Sequence, residues 1–564
     1  MPRGAATTRL GRVAPIDFGL LGLVALAVVV VLLGRAGLRP YDAPELDPRP
    51  ALLPIYLLHS LARLSLAYAA ALLAALGVGY LAASSRLARR FILPTLDVLQ
   101  SVPILGFFPA AVAVFIGIFG GSALGVEAAA VFLIFTSMFW NLAFGVYESL
   151  IVLPAELVEA ADQLGLQGPL RWSRLTLPAV LPGLVYNSIL SWSNGWYFLM
   201  ASEIIAAGPA RYTLPGLGSY LAQAIGEGRH DQLLLALGTL LLAVLGLHLL
   251  VFSPFATWVE RFHFEESGDR PKTPRLARLL SRSRLVRFVS GAIVVPAGQQ
   301  LLQGAGRLTL PARLAPMVFG AAGLGVAAAL ALGGVRLYDL LTSRALSPEA
   351  RDIPVALLLS LLRVAAGVVL AVALSLPLAF WTFRHARLRS ALLSVLQVLG
   401  SVPATAFFPL IALLMLRLGF SMDAGSVLLV LTGTFFYVMF NVLSGAAAIP
   451  KELNEASAAL GLRGFGYARR VFVPAVLPSL VTGCVTAWGG GWNAIIFSEY
   501  VVASGRVHAV RGIGAALDRA TYVSGDMQVV ALSLLSMVAL VVLVNRLFWD
   551  PLYEHVAARY RMEA

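Results

Sequence analysis

Charged residues are scarce in this chain of 564 residues. Asp, Glu, Lys and Arg make up 13% of it, whereas hydrophobic residues make up 59%. The mean hydropathy is +0.84. A soluble domain carries about 25% charged residues, so this composition excludes an ordinary soluble protein. Several apolar runs exceed the roughly 20 residues that a helix needs to cross a bilayer. The sequence therefore predicts an all-α polytopic membrane protein.

Cysteine and lysine are nearly missing. Cys484 is the only cysteine, which excludes an internal disulfide and a metal site of paired cysteines. Lys272 and Lys451 are the only lysines, so arginine carries most of the net charge of +13. An excess of basic residues can indicate nucleic-acid binding, but in so apolar a chain it indicates basic cytoplasmic loops. We expect the lipid bilayer and no nucleic acid as a partner.

Catalytic motifs are missing as well. The chain has no G-x-x-x-x-G-K-[ST] sequence, since Lys272 follows Pro271 and Lys451 precedes Glu452. Its seven histidines form no H-E-x-x-H, and no G-x-S-x-G stands out. We therefore expect no catalytic residues, no metal and no cofactor bound by this chain. Any ATP would be used by a separate subunit.

Apolar runs form two sets of six. The first set covers 16–34, 53–83, 92–119, 124–148, 179–206 and 231–258. The second set covers 315–334, 353–382, 391–419, 425–448, 475–503 and 527–549. The first run has no small-residue cleavage pattern, so we interpret it as a retained helix and not a signal peptide. About six transmembrane helices are expected in each half.

The two halves are repeats. Ser101 to Pro109 reads SVPILGFFP and Ser401 to Pro409 reads SVPATAFFP, an offset of 300. From Pro154 onward the offset is 296. Six helices per half keep both halves in one orientation, so the repeats are predicted to be parallel. The domain prediction is a first repeat at 1–260, a basic linker at 261–313 and a second repeat at 314–564. Within the linker, 285–303 is short and broken, which favours an interfacial helix over a span.

Arginine sets the predicted orientation. The N-terminus, the linker and the loops after the second and fourth runs are dense in arginine, and the opposite loops less so. The positive-inside rule places both termini in the cytoplasm.

A polar interruption occurs twice, at 150–182 and 449–478. Pro154 and Pro450 suit the first turn of a short helix, and Gly165 and Gly461 suit the left-handed residue that ends one. Each interruption is therefore predicted to form a helix–turn–helix elbow. The alternative is an ordinary loop between spans, but an ordinary loop has no reason to recur at this spacing.

Both elbows resemble the EAA loop of ATP-binding-cassette importer permeases. That resemblance implies cytoplasmic coupling helices that dock in a groove on the ATPase subunit. The residues it assigns to coupling are Glu156, Glu159, Ala160, Gly165, Glu452, Glu455, Ala456 and Gly461. The second copy has Ser457 where the first has Ala161, and carries Lys451, which predicts unequal docking of the two elbows.

Ionisable residues recur inside the predicted spans. Arg63 and Arg363 lie in the second run of each half, and Glu203 and Glu499 lie near the outer end of the fifth. Charges inside a membrane are costly and need partners. We predict an Arg–Glu pair within each half. The alternatives are that each side chain reaches the surface separately or contacts the solute.

Aromatic and amide residues give further candidates for the pathway. Trp192 and Trp196 of the first half match Trp488 and Trp492 of the second, and each pair flanks a glycine. They are expected either to pack against neighbouring helices or to line the pathway. Asn194 and Asn493 occupy unmatched positions, which fits an asymmetric polar site or chance drift. The SVPxxxFFP segments predict a broken third helix or a simple kink.

The whole architecture resembles a type I importer permease with two permease subunits fused in one chain, and is most similar to the nitrate/taurine/sulfonate branch. The resemblance implies import of a small anion such as nitrate, sulfonate, bicarbonate or an organic acid across a bacterial inner membrane. It also implies two ATPase subunits and an extracytoplasmic solute-binding protein. Three alternatives stay open: a fused permease of the ferric-iron or thiamine type, a proton-coupled secondary transporter, and a membrane scaffold.

Overall fold

The computed structural model describes residues 46–259 and 335–560 with short gaps. The gaps are at 102, 108–110, 112–114, 116–117, 120–121, 167, 208–209, 336–337, 343–344, 384–391, 393–394, 397–398, 401–402, 448 and 504–505. The first predicted run of each half and the linker 261–313, with its segment 285–303, lie outside the described residues.

The described residues of the first half form seven main helices and one hairpin. Their bounds are α1 Leu53–Ser84, α2 Arg86–Ser101, α3 Ala123–Ile151, α4 Ala155–Gln163, α5 Leu177–Glu203, β1 Ile204–Ala207, β2 Ala210–Thr213, α6 Leu217–Gly226 and α7 His230–Leu247. A π-helical turn, His248–Phe252, and a short helix, Ser253–Val259, continue α7.

The second half repeats this order. Its elements are α8 Pro348–Phe383, α9 Phe408–Arg417, α10 Met422–Ala447, α11 Lys451–Ala459, α12 Val473–Ser498, β3 Tyr500–Ala503, β4 Arg506–Ala509, α13 Ile513–Arg519, α14 Met527–Val544 and α15 Asp550–Tyr560. Helices α8, α10, α11, α12, α13 and α14 correspond in order to α1, α3, α4, α5, α6 and α7. The predicted two-repeat, all-α architecture is confirmed.

Eight helices in the described ranges are long and apolar enough to cross a membrane. They match the second, fourth, fifth and sixth predicted runs of each half. The third runs are broken where the prolines predict it. Helix α2 ends at Ser101 and a 3₁₀ turn follows at Ile104–Phe107. In the second half, the 3₁₀ turn Ala404–Phe407 leads into α9.

The structure contains two β-hairpins that the sequence did not predict. The runs 179–206 and 475–503 were expected to be helical throughout, but the helices end at Glu203 and Ser498. The apolar residues that follow form strands, in which Ile204 pairs with Thr213 and Tyr500 with Ala509. Hydropathy alone cannot distinguish a short apolar strand from the end of a helix. Each hairpin turns the chain back toward the start of α6 or α13.

The two halves exchange their 3₁₀ turns. Ile104 of the first half lies in a core cluster that second-half residues dominate, and Ala406 of the second half is buried in the core of the first. A Cβ atom on Gly106 would lie 2.6 Å from Cδ2 of Leu534, so glycine lets the turn approach the second half this closely without moving that side chain. The broken third segments therefore carry part of the contact between the halves.

Candidate functional site

Each elbow begins with a short, exposed helix. Pro154 and Pro450 are the residues just before α4 and α11, one position earlier than predicted. Glu156 and Glu452 lie in the first turn, where the positive end of the helix favours a carboxylate. The remaining coupling candidates on these helices, Glu159, Ala160, Glu455 and Ala456, are exposed as well. This acidic surface is free to bind another protein.

Glycine ends both helices in the predicted way. Gly165 and Gly461 have φ values of +67° and +68°. In the first elbow, the amide of Gly165 donates to the Asp162 carbonyl, and the amide of Leu166 donates to the Ala161 carbonyl at 2.9 Å. The second elbow has the same two bonds. This arrangement is a Schellman motif, which stops the helix and fixes the direction of the chain that leaves it.

The second arm of each elbow differs from the prediction. It is not a separate helix that ends before the span. The short helix Gly168–Arg171 and the π-helical turn Trp172–Thr176 run directly into α5, so Pro182 lies inside a helix. The corresponding stretch from Gly464 runs into α12 through a π-helical turn at Ala468–Phe472. Movement of the elbow would therefore pass straight to a membrane span.

The elbows differ in their exposed surfaces, but not at the position of Ala161 and Ser457. The side chain of Lys451, the other predicted difference, lies outside the described part of the chain. Ala161 and Ser457 are both buried, at 3% exposure, and the Ser457 hydroxyl donates to the Leu453 carbonyl. Neither side chain is available to a docked protein. The visible difference is Phe465, which is 81% exposed. The first elbow has Pro169 at the matching position.

The predicted ion pair of the first half is confirmed. Arg63 Nη1 donates to Glu203 Oε1 at 3.0 Å, and the side chain of Glu203 is fully buried. The Ser60 hydroxyl donates to the same carboxylate oxygen, and the amide of Gly218, at the start of α6, donates to the other oxygen. An arginine, a hydroxyl and the positive end of a helix therefore all bind this carboxylate and hold it in place.

The second half repeats this cluster. Arg363 Nη1 donates to Glu499 Oε1 at 2.6 Å, and the Ser360 hydroxyl donates to the same oxygen. The amide of Gly514 donates to Glu499 Oε2 at 2.8 Å. The expectation that each charge reaches the surface separately is therefore wrong.

Each arginine also binds a second carboxylate that the sequence did not reveal. Glu127 accepts two hydrogen bonds from Arg63, at 2.6 and 2.7 Å. Asp423 accepts one from Arg363 at 2.5 Å. Glu127 aligns with Val427, one helical turn away from Asp423, so comparison of the repeats missed both residues. With two carboxylates opposing each arginine, neither cluster has surplus positive charge.

The charge clusters and the elbows lie at opposite ends of the spans. Helix α5 has 27 residues between its elbow end at Leu177 and Glu203. At about 1.5 Å per residue its length is roughly 40 Å. The Arg–Glu clusters therefore join the ends of three helices on the side of the membrane opposite the elbows.

The four candidate tryptophans pack inside their own halves. Trp192 lies 5.6 Å from the ring of Tyr68, and Trp196 is 2% exposed. Trp488 and Trp492 are buried with ring centroids 6.1 Å apart. These contacts favour the packing interpretation over the pathway interpretation.

Gly195 and Gly491 serve the same packing. A Cβ atom on Gly195 would lie 2.8 Å from Leu64 Cδ1, and one on Gly491 would lie 2.9 Å from Val364 Cγ1. Both glycines therefore allow the fifth predicted span of each half to approach the second.

The two asparagines reach across to the opposite half. Asn194 Oδ1 accepts a hydrogen bond from the Tyr437 hydroxyl at 3.0 Å. Asn493 Oδ1 accepts one from the amide of Ile104 at 2.8 Å. Eight of the pathway candidates, the four tryptophans, two asparagines and two glutamates, lie on α5 and α12 or at their ends. In the described part of the chain, only the two asparagines among them form side-chain hydrogen bonds to the opposite half. They mark the interface between repeats as the candidate pathway.

Asp518 on α13 is a further buried carboxyl group that the sequence did not suggest. It is 7% exposed and is replaced by Ala222 in the first half. Burial, together with the negative charge of Glu499, raises its pKa well above the usual range. The raised pKa favours the neutral, protonated form beside Glu499.

Comparison with known families supports the resemblance. The family described as "Binding-protein-dependent transport system inner membrane component" matches twice, at 75–262 and 364–562. The chain belongs to this family. The two matches contain both elbows and both buried glutamates, and the interval between them contains all but the first two residues of the predicted linker. Together with the eight candidate spans, membership identifies the chain as a multi-pass inner-membrane transport component.

Curated relatives are similar over shorter stretches. A putative aliphatic sulfonates transport permease protein of Escherichia coli is 30% identical over 167 residues, which cover 28% of this chain and 59% of that protein. A bicarbonate transport system permease protein of a Synechocystis species is 22% identical over 243 residues, 40% of this chain and 82% of its own length. A nitrate import permease protein of Synechococcus elongatus is 27% identical over 151 residues, which cover 27% of this chain and 53% of that protein. The chain spans little more than half the length of the first relatives that it matches.

Proposed function

We propose that this chain supplies both halves of the membrane pathway of an ATP-driven importer for a small oxyanion. Two ATPase subunits bind the two elbows in the cytoplasm and use ATP, which this chain itself does not bind. An extracytoplasmic binding protein delivers the solute at the opposite face, beside the charge clusters. Both termini lie in the cytoplasm.

The exposed elbows carry the coupling part of this proposal. Besides their acidic residues, they present apolar side chains to solvent: Leu164 is 76% exposed, Leu460 is 77% exposed, and Phe465 is 81% exposed. Apolar side chains that project singly from a polar helix end suit pockets on a partner protein. Since each elbow continues into a span, closure of the two ATPase subunits would act on α5 and α12 at the same time.

The relatives support the solute class. The names of three of them specify sulfonates, bicarbonate and nitrate, which are small oxyanions. The arginines do not supply the anion site in this proposal, because Glu127, Glu203, Asp423 and Glu499 already oppose them. The charge clusters then serve to hold the outer ends of the helices.

The test is uptake into proteoliposomes that contain the full chain with its ATPase subunits and binding protein. Labelled ethanesulfonate, bicarbonate and nitrate are supplied separately, with ATP on the side of the ATPases. We expect at least one of these anions to accumulate only with ATP, and a protonophore to leave its uptake unchanged. Replacement of the phosphate-binding lysine of the ATPase should abolish uptake.

Two results would contradict the proposal. Accumulation that the protonophore stops and that proceeds without ATP would identify a proton-coupled transporter. Uptake of thiamine or ferric iron with none of the three anions would identify a different branch of importers.

A further inference from the structure

The interface between the repeats is asymmetric: the side where α5 meets α10 has a polar contact that the side where α12 meets α3 lacks in the described residues. Asn194 on α5 bonds the hydroxyl of Tyr437 on α10. At the positions related by the repeat, the chain has Gly490 and Ser137. The Ser137 hydroxyl donates to the Ile134 carbonyl within its own helix. The polar contact between α5 and α10 therefore has no counterpart between α12 and α3 in the parts of these helices that the structure describes.

Gly490 makes room for this one-sided arrangement. A Cβ atom there would lie 2.8 Å from Cε2 of Tyr437. The ring of Tyr437 therefore passes over Gly490 and carries its hydroxyl to the opposite half. The asymmetry is built from three positions that fit one another and is not a single drifted residue.

Tyr197 stands on the same face of α5, one turn after Asn194. Its carbonyl accepts a hydrogen bond from the Thr405 hydroxyl of the second half at 3.4 Å. Its own hydroxyl is buried and has no hydrogen-bond partner among the residues that the structure describes. A buried hydroxyl without a partner is costly and is uncommon in folded proteins, so its presence calls for an explanation.

We propose that Tyr197, Asn194 and Tyr437 form the solute-contacting site of the pathway, where an oxyanion is held by neutral hydrogen-bond donors. This inference rests on the proposed function and specifies the site within it. The Tyr197 hydroxyl and the Asn194 amide group donate to the oxygens of the anion. Hydrogen bonds to a charged acceptor are stronger than neutral ones, so two or three donors recognise an anion without a cation. A site without a fixed positive charge also releases an anion readily.

The test is the variant Tyr197→Phe in the proteoliposome assay. It removes only a hydroxyl that bonds nothing in the described structure, so the melting temperature should stay at the wild-type value. We expect the uptake rate of the transported oxyanion at saturating binding protein to fall by about tenfold, as for loss of one charge-assisted hydrogen bond. The matched control is Tyr68→Phe, which also removes one tyrosine hydroxyl from the first half. The hydroxyl of Tyr68 is hydrogen-bonded to Ser188, away from the interface. The control should transport at the wild-type rate.

The outcomes separate the two proposals. If the wild type transports an oxyanion and Tyr197→Phe transports it equally fast, the inference is wrong and the proposed function stands. If both tyrosine variants lose uptake equally, the loss is a general effect of removing hydroxyls and again contradicts the inference. If the wild type moves none of the three oxyanions, both proposals are wrong.

Discussion

The variant Glu499→Ala should remove most of the folded protein from the membrane. The carboxylate that it deletes is fully buried and accepts hydrogen bonds from Arg363, Ser360 and the amide of Gly514. Removing it leaves these donors without their acceptor in a buried place. Breaking one partner of a buried ion pair costs about 3–5 kcal/mol, a large part of the stability of most proteins. The measurement is the yield of monodisperse chain after extraction in mild detergent, relative to wild type.

A double-mutant cycle tests whether the pair acts as a unit. Arg363→Ala combined with Glu499→Ala should lose less than the sum of the two single losses, because no unpaired buried charge remains. Asp423→Ala is the matched control, because it removes the other carboxylate that binds Arg363, and the side chain of Asp423 is 68% exposed. Its cost should stay below about 1 kcal/mol. Single losses that simply add would show that Arg363 and Glu499 are not coupled.

The double variant Gly165→Val, Gly461→Val should uncouple ATP hydrolysis from uptake. Both glycines have positive φ values, which strain a β-branched residue by roughly 1–2 kcal/mol each. In the described part of the chain, no atom beyond the adjacent residues lies within 4 Å of the position that a Cβ atom would take at either glycine. The expected effect is therefore the backbone strain. The Schellman motifs should therefore open and redirect the arms that enter α5 and α12. We expect transport to fall by at least tenfold while the chain still inserts in the membrane.

The control for the elbows is Gly238→Val in α7. This glycine also has open space around its Cβ position but does not have a positive φ. Its transport and its stimulation of ATPase activity should match the wild type. Wild-type uptake in the elbow double variant would show that these turns do not transmit the force of ATP hydrolysis.

The elbows and the Arg–Glu pairs could be predicted because local pattern and repetition define them. Gly165 ends a helix through its own backbone conformation, and Glu203 recurs as Glu499 at the position that the repeat predicts, as Arg63 recurs as Arg363. Glu127 and Asp423 could not be predicted in this way. Each reaches its arginine from a different turn of its helix, so the two positions do not align.

The contacts between the two halves could not be predicted from the sequence either. Asn194 and Asn493 were candidates, but nothing in their positions indicated that one would meet a tyrosine hydroxyl and the other a backbone amide. The exchange of the 3₁₀ turns depends on how the helices of both repeats pack together. Local periodicity gives the faces of single helices and does not give their partners.

Photo-crosslinking from the elbows tests the central claim most directly. A photoreactive benzoylphenylalanine replaces Glu159 or Glu455, both exposed, in the full complex. The control position is Val507 on the second hairpin, which is 54% exposed and belongs to the opposite end of the spans. The account predicts adducts between each elbow and an ATPase subunit, and none from Val507. No ATPase adduct from either elbow, or an ATPase adduct from Val507, would contradict it.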